Sequence, residues 1–150
     1  MEYTAPYVII DGAYLVRNNS PLQRNEEVDR PGTRIAVGRG SAYDLYLTRE
    51  VKAASLVRVP TSPEVVSAFL AQNLEVAAGV KQQLEMDAKR LGGVRLLPGR
   101  FMVIEQAMGV PKGRLAAQAW LSGYIEEQKA SGFVAEALKR HGVEGAAVAR

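Results

Sequence analysis

A short turn between an apolar run and a helix-like segment is the part of this sequence best suited to chemistry. Residues 35–37 are rich in β-branched side chains, which predicts a short strand, and the run ends at Gly38. Gly40 and Ser41 then open a segment with helical periodicity, in which Ser41 can be the N-cap and Asp44 has capping-box spacing. Such a helix directs free backbone N–H groups and its positive dipole end beyond the strand. The turn predicts a site for a carboxylate or another anion, bound by the N–H groups of Ser41 and Ala42; a capped turn without a ligand fits equally.

The turn belongs to a repeating pattern of strands and helices. A lone Gly-x-Gly is too short for a dinucleotide fingerprint, and no Gly-Lys-Ser/Thr follows it. Further strands are expected at 55–59, 75–79 and 94–97. A helix is expected after the first of these, with Ser62 as N-cap, Pro63 at the first helical position and an apolar face of Val65, Val66, Phe69 and Leu70. The next helix is indicated by the spacing of Val80, Leu84, Ala88 and Leu91. This alternation predicts an α/β fold, with a parallel or mixed sheet covered by helices on both faces.

The strand ends of such a sheet define the candidate site. In open α/β sheets, ligands bind at the carboxyl ends of the strands, where helix N-termini gather. The residues expected at that edge are Arg39, Gly40, Ser41, Ala42, Tyr43, Thr61, Ser62, Val80 and Lys81. For several of these residues a purely structural role is the alternative to ligand contact. Thr61 and Ser62 can be helix caps, Arg39 a solvated loop residue, and Tyr43 or Tyr46 a residue of the core or of the lobe interface.

Composition narrows the functional classes. The 150 residues, 47% hydrophobic, suffice for one modest core or two small lobes. Nineteen basic and 16 acidic residues are mixed along the chain, with no basic run interleaved with aromatics, which argues against nucleic acid as a partner. There is no cysteine, and His141 is the only histidine, so neither a thiolate, nor a histidine-rich metal site, nor a Ser/His/Asp triad is expected. His141 follows Lys139 and Arg140 and precedes Gly142, the pattern of a helix C-terminus.

Acid–base catalysis is not expected either. Glu85 and Asp87 are two residues apart, so they lie on different sides of a helix and form no carboxylate pair. The sequence thus predicts a binding protein without enzymatic activity, cofactor or metal.

The two ends of the chain differ from its centre. The first residues lack a basic segment and a long apolar run, so no signal peptide is expected. Extended segments are predicted at 8–16, as a strand pair or one bent strand, and at 101–107; helices follow at 115–129 and 134–140, separated by Ser131-Gly132. The predicted domains are an α/β lobe, 17–100, and a second region made of 1–16 and 101–150.

Several weak motifs, taken in order, carry a family resemblance. They are Y-T-A-P-Y at 3–7, G-A-Y-L-V at 12–16, I-A-V-G-R-G-S-A-Y-D at 35–44, P-K-G-R-L at 111–115 and K-A-S-G-F-V-A-E-A-L-K-R-H-G at 129–142. Together they resemble family 3 of the bacterial extracellular solute-binding proteins, the periplasmic components of polar amino-acid ABC importers. The resemblance implies a type II periplasmic-binding-protein-like fold, represented by lobe two with the hinge strands and C-terminal helices of lobe one. It also implies a periplasmic location, an ABC permease as partner and a small solute held in an interlobe cleft. Gln106 lies on the returning strand, where a hinge residue could face that cleft; an ordinary polar residue of the sheet is the alternative.

Departures from the family pattern shape the expected ligand. Most of lobe one, including the arginine that grips a ligand carboxylate, has no counterpart here. Where amino-acid binders carry an aspartate for the ligand ammonium, this sequence has Val80 and Lys81, and Ala42 replaces the second hydroxyl of a G-T-T pattern. A small polar or anionic solute is therefore expected. The alternatives are an enzyme on the same scaffold, such as a cyclohexadienyl or arogenate dehydratase, and a sensor or interaction domain.

A homodimer is the remaining expectation. Without the rest of lobe one, the hinge strands near 8–16 and 101–107 would expose strand edges, and the helix carrying Ala116, Ala119, Trp120 and Tyr124 would expose an apolar face. Two copies could bury these segments against each other.

Overall fold

The computed structural model describes residues 1–143 and 145–150, which form two compact units. The larger unit is Asp11–Met102, and the smaller combines Met1–Ile10 with Val103–Arg150. In chain order the elements are β1 (Glu2–Tyr3), β2 (Val8–Arg17), β3 (Arg34–Gly38), α1 (Ala42–Glu50), β4 (Ser55–Val59), α2 (Val65–Ala71), β5 (Val76–Val80), α3 (Lys81–Leu91), β6 (Val94–Leu96), β7 (Met102–Gln106), β8 (Gly109–Val110), α4 (Leu115–Ala130), α5 (Phe133–Arg140) and β9 (Ala146–Val148). The chain passes from one unit to the other within β2 and again within β7.

The larger unit is built on a mixed sheet in the order β4-β3-β5-β2-β6. β3 runs parallel to both β4 and β5, while β2 is antiparallel to β5 and β6. The alternating strands and helices predicted this mixed α/β architecture. A core cluster on one face of this sheet packs against α2 and α3 and consists of Ala13, Leu15, Ala36, Val59, Val65, Val66, Phe69, Leu74, Ala77, Leu84 and Val94.

β2 settles the alternative left open for the first extended segment. It is one ten-residue strand rather than a pair. Its second half pairs with β5 from Gly12 to Leu15 and belongs to the larger unit, which begins at Asp11.

Two local predictions in the larger unit are wrong. The residue that caps the turn before α2 is Thr61, not Ser62, because Glu64 stands three residues after Thr61 and bonds back to its N–H at 3.0 Å. Leu70 and Leu91, assigned to apolar helix faces, are 39% and 40% exposed. Both lie in the last turn of their helices, where their side chains remain partly in solvent.

The smaller unit is thinly packed. β1 pairs with β8, residues 8–10 of β2 pair with β9, and α4 contacts α5 after a break at Gly132, whose φ is 83°. Among its described residues only four apolar side chains are buried, namely Val8, Ile125, Val134 and Ala149. The larger unit buries 22. No helix in the described part of the chain is long and apolar enough to cross a membrane.

Candidate functional site

Three strand ends of the larger unit form a single edge, called here the rim and comprising residues 38–43, 60–64 and 80–83. Parallel pairing of β3 with β4 and β5 places the ends of these strands at the same edge of the sheet. The chain enters a helix or helical turn directly after each of them. The Arg39 N–H donates to the Val59 carbonyl at 2.9 Å, which ties the first two segments of the rim together.

Gly38 allows these two segments to approach closely. A Cβ at this position would lie 2.5 Å from the Ser62 hydroxyl oxygen and 3.0 Å from the Ser62 Cα. The first distance is shorter than real Cβ contacts and the second is unusually tight, so lack of space, rather than the φ angle, favours glycine here. Ser62 therefore sits against the end of β3.

The N-terminus of α1 has the predicted cap and fewer free donors than predicted. The Ser41 hydroxyl oxygen accepts from the Asp44 N–H at 3.1 Å, which confirms Ser41 as the N-cap. The Ser41 N–H, however, donates to the Gly38 carbonyl at 3.1 Å, and the Gly40 N–H donates to Asp44 Oδ2 at 2.9 Å. The prediction that the Ser41 N–H binds an anion is therefore wrong, because this N–H is already bonded to the Gly38 carbonyl within the turn. Among the described residues, the donors left at this helix end are the N–H groups of Ala42 and Tyr43.

A hydrogen-bond network around the buried Asp44 carboxylate holds the turn in this shape. Asp44 Oδ1 accepts from Arg58 Nε at 2.9 Å and from the Thr48 hydroxyl at 3.1 Å, and its side chain is only 7% exposed. Burial by itself would raise the pKa of Asp44. Hydrogen bonds from Gly40, Arg58 and Thr48, together with the Arg58 charge, outweigh that effect and hold the pKa below its ordinary value. Asp44 is therefore a carboxylate that neutralises Arg58 and fixes Gly40.

The N-terminus of α3 carries no cap of this kind. Its N-cap is Val80, whose side chain makes no capping bond, so the N–H groups of the first turn keep their donor capacity. Lys81 is the first helical residue and adds a formal positive charge where helix dipoles already favour an anion. This end of α3 and that of α1 give the rim two sets of backbone donors.

Tyr43 lies behind the rim instead of on its surface. It is 6% exposed, and its ring centroid is 6.2 Å from that of Phe101, which stacks on Tyr14 at 4.1 Å. The Tyr43 hydroxyl is buried with no hydrogen-bond partner in the described residues. Burial, helped by the charge of Asp11, raises the pKa of Tyr43 to about 12. The side chain of Tyr43 is thus core, and only its backbone N–H serves the rim.

The remaining predicted site residues divide between the two units. Thr61 lies on the rim, but its hydroxyl donates to Glu64 Oε2 at 2.7 Å within the cap. Arg39 and Gly40 are exposed there. Gln106 is the last residue of β7 and belongs to the smaller unit, where its carbonyl accepts from the Tyr7 N–H at 2.8 Å.

Sequence reasoning missed the Asp44–Arg58 pair and the aromatic cluster. Arg58 is fourteen residues from Asp44, and only the parallel pairing of β3 with β4 brings them together. Phe101 was not singled out, because nothing near it in sequence indicates that it meets Tyr14. The free donors at α3 could have been found, since Val80 cannot act as a side-chain cap.

No metal centre is formed by the described part of the chain, where no three His, Cys, Asp or Glu side chains are grouped to hold an ion. Two carboxylates of the larger unit near the rim are instead each paired with an arginine, Asp44 with Arg58 and Asp11 with Arg100.

The architecture of this chain is similar to that of solved binding proteins of ABC transporters. A binding component of an ABC transporter from Wolinella succinogenes, complexed with lysine, superposes with a TM-score of 0.74 at 17% identity, over 93% of this chain and 61% of that one. The solute receptor for L-cysteine of Neisseria gonorrhoeae gives 0.76 at 18% identity, over 99% and 63%. The fold is that of type II periplasmic binding proteins. An ancestral amino-acid-binding protein, a precursor of cyclohexadienyl dehydratase, matches with a TM-score of 0.72 at 14% identity, over 93% and 60%.

These findings confirm the predicted fold class and the predicted resemblance to solute-binding proteins of amino-acid ABC transporters at the level of the fold. This chain spans about three-fifths of the length of the solved structures it matches. No protein-family model matches the sequence, and no curated protein sequence matches it.

Proposed function

We propose that this chain is a solute-binding component of an ABC importer and that its rim contacts a small polar or anionic solute. The contact residues proposed are Arg39, Gly40, Ser41, Ala42, Tyr43, Thr61, Ser62, Val80 and Lys81 on the rim, and Gln106 on β7. Tyr43 contributes its backbone N–H, and Ser41 its hydroxyl. The proposed location is the periplasm, and the proposed partners are an ABC permease and a second copy of this chain, paired through the hinge strands and C-terminal helices.

One observation carries the choice of an anionic solute. The rim offers free N–H groups at two helix N-termini together with the formal positive charges of Arg39 and Lys81. The carboxylates next to it are engaged, Asp44 with Arg58, Glu64 with Thr61 and Asp11 with Arg100. Within the described part of the larger unit, a ligand carboxylate would find donors, whereas a ligand ammonium would find no uncommitted carboxylate among these three.

This preference differs from the ligands named for two structural neighbours: one was solved in complex with lysine, and the other is described as a receptor for L-cysteine. Both ligands are amino acids with an α-carboxylate, a group that the free backbone N–H groups of the rim could bind. The proposal is that the carboxylate end is retained and that the requirement for an ammonium group is lost.

Isothermal titration tests the proposal with a panel of dicarboxylates, 2-oxo acids and α-amino acids. Because one lobe surface supplies only part of a closed cleft, we expect dissociation constants no tighter than about 1 mM, which is about 4 kcal/mol of binding free energy. Carboxylates without an ammonium should bind at least as well as amino acids. Lys81→Gln should weaken carboxylate binding, while Lys89→Gln, at the opposite end of α3, should not. Low-micromolar binding of an α-amino acid, unaffected by Lys81→Gln, would overturn the proposal.

The second candidate is an enzyme on the same scaffold, favoured by the match to a precursor of cyclohexadienyl dehydratase. Dehydration needs a free acid or base beside the substrate, and the three carboxylates near the rim are held in caps and ion pairs. Incubation with prephenate or arogenate, followed by absorbance of the aromatic product, separates the two candidates. Turnover that Glu64→Gln abolishes would favour the enzyme.

A further inference from the structure

The helix α4 presents its more apolar stripe outward. Seven residues at helical spacing are all exposed and form what is called here the outer face: Ala116, Ala119, Trp120, Gly123, Tyr124, Glu127 and Ala130. The opposite, less exposed stripe is Gln118, Leu121, Ser122, Ile125, Gln128 and Lys129. The outer face holds one charged side chain in seven, whereas four of six inward residues are polar. This is the reverse of a helix that faces water, and it indicates a face that another surface covers.

Two aromatic side chains dominate the outer face. Trp120 is 69% exposed and stacks on Tyr124, with ring centroids 5.5 Å apart and an interplanar angle of 6°. Together with Ala119, Gly123 and Glu127 they line a shallow groove along the helix. The small residues let a second helix approach closely, and the rings offer large apolar area at low conformational cost.

The smaller unit needs such a cover. Among its described residues, eight large apolar side chains are exposed and four apolar side chains are buried, whereas the larger unit exposes four and buries 22. Burial of the outer face would supply the apolar contact area that this unit lacks.

The charges at the two ends of α4 indicate what the cover is. Arg114 lies at the N-terminus, beside the positive end of the helix dipole, and Glu127 lies in the last turn, beside the negative end. Both are placed against the preference of their own helix. Neither side chain makes an ion pair within residues 1–143 and 145–150. A second α4 running antiparallel would bring an Arg114 to each Glu127 and align the two dipoles favourably.

We propose that the outer face of α4 binds the outer face of α4 in a second copy of this chain, antiparallel about a two-fold axis. If the axis passes midway between Trp120 and Gly123, each Trp120 ring lies over the Gly123 of the other copy. Glu127 then lies opposite Ala116, two residues or about 3 Å along the axis from Arg114. The pairing is self-complementary in shape and in charge, as a two-fold interface must be. This inference deepens the homodimer included in the proposed function and is independent of solute binding.

Sedimentation velocity of the whole chain tests the apolar part. The wild-type chain should be a dimer at tens of micromolar, and Trp120→Ala should weaken dimerisation at least about tenfold, as expected for a central aromatic contact. Met86→Ala is the matched control, since Met86 is an exposed apolar residue of the larger unit, on α3, and should change nothing. Circular dichroism verifies that each variant is folded.

Charge reversal tests the antiparallel arrangement. Arg114→Glu and Glu127→Arg should each weaken the dimer, and the double variant should restore it, whereas Lys89→Glu on α3 should have no effect. A wild-type chain that stays monomeric at 200 μM overturns the proposal, whatever else covers the face. A dimer that survives Trp120→Ala, or a double reversal without recovery, also overturns it. Since the titration in the preceding section probes the larger unit, failure of one experiment leaves the other intact.

Discussion

Replacing Asp44 with asparagine probes the network that shapes the rim. Both oxygens of the Asp44 carboxylate accept hydrogen bonds, Oδ1 from Arg58 and Thr48 and Oδ2 from the Gly40 N–H, whereas an amide has only one accepting oxygen. The variant therefore loses the charge-assisted bond to Arg58 and offers one acceptor fewer to the Gly40 N–H and the Thr48 hydroxyl. A hydrogen bond to a charged group contributes about 1.5–3 kcal/mol. Because the Arg58 side chain is 38% exposed and can regain water, we expect a loss of about 2 kcal/mol.

Urea unfolding at neutral pH measures this loss. In a thermal scan of a chain of this size, the same loss of about 2 kcal/mol would appear as a decrease of about 4–8 °C in melting temperature. The control is Asp87→Asn, which removes an i,i+3 pair with Arg90, a residue 67% exposed. Exposed pairs of this kind contribute less than about 1 kcal/mol, so the control should change stability by no more than about 0.5 kcal/mol.

The pH dependence gives a second readout of the same network. The pKa of Asp44 is lowered in the folded chain, so its stabilisation is complete above the unfolded value of about 4 and is lost as pH falls through the folded pKa. The difference between wild type and Asp44→Asn should therefore shrink below about pH 4. If Asp44→Asn and Asp87→Asn have equal effects at neutral pH, the reasoning about the rim is refuted.

Three further predictions follow from the rim and the residues behind it. Ser41→Ala should cost about 1 kcal/mol through loss of the α1 cap, as measured by urea unfolding, and an unchanged midpoint would show that the cap is not formed. Gly38→Ala should cost about 1–3 kcal/mol in the same assay, because its Cβ would overlap Ser62; a neutral result would mean that the two turns do not touch. Tyr43→Phe should leave stability at neutral pH unchanged or raise it, since the hydroxyl is buried without a partner. The raised pKa of Tyr43 destabilises the wild type as pH rises above about 10, so Tyr43→Phe should lessen that decline.

Elements with a local signal were predictable from the sequence. β4 was predicted at 55–59 and found at Ser55–Val59. The adjacent glycines Gly92 and Gly93 mark a helix end in the sequence, and α3 ends at Gly92, whose φ is 68°. These features depend on residues within one turn or one strand, where capping chemistry and apolar periodicity act directly.

Features that depend on tertiary pairing were not predictable. Which N–H groups of the rim remain free depends on bonds such as Ser41 to Gly38 and Gly40 to Asp44, which exist only when the turn has closed. The cap at Thr61 instead of Ser62 is a different case, because Glu64 stands at capping-box spacing from Thr61 in the sequence itself. That signal was available and was outweighed by the familiar Ser-Pro pattern at a helix start.

The most direct test of the central claim is a titration of the ¹⁵N-labelled chain with a small dicarboxylate, such as succinate, followed by two-dimensional NMR. The claim is that the rim binds a carboxylate through the free N–H groups of α1 and α3. It predicts the largest shifts at the amides of Ala42, Tyr43 and residues 81–83, with saturation in the millimolar range and smaller shifts in Lys81→Gln. Equal shifts spread over the surface, or shifts centred outside the rim, would contradict it.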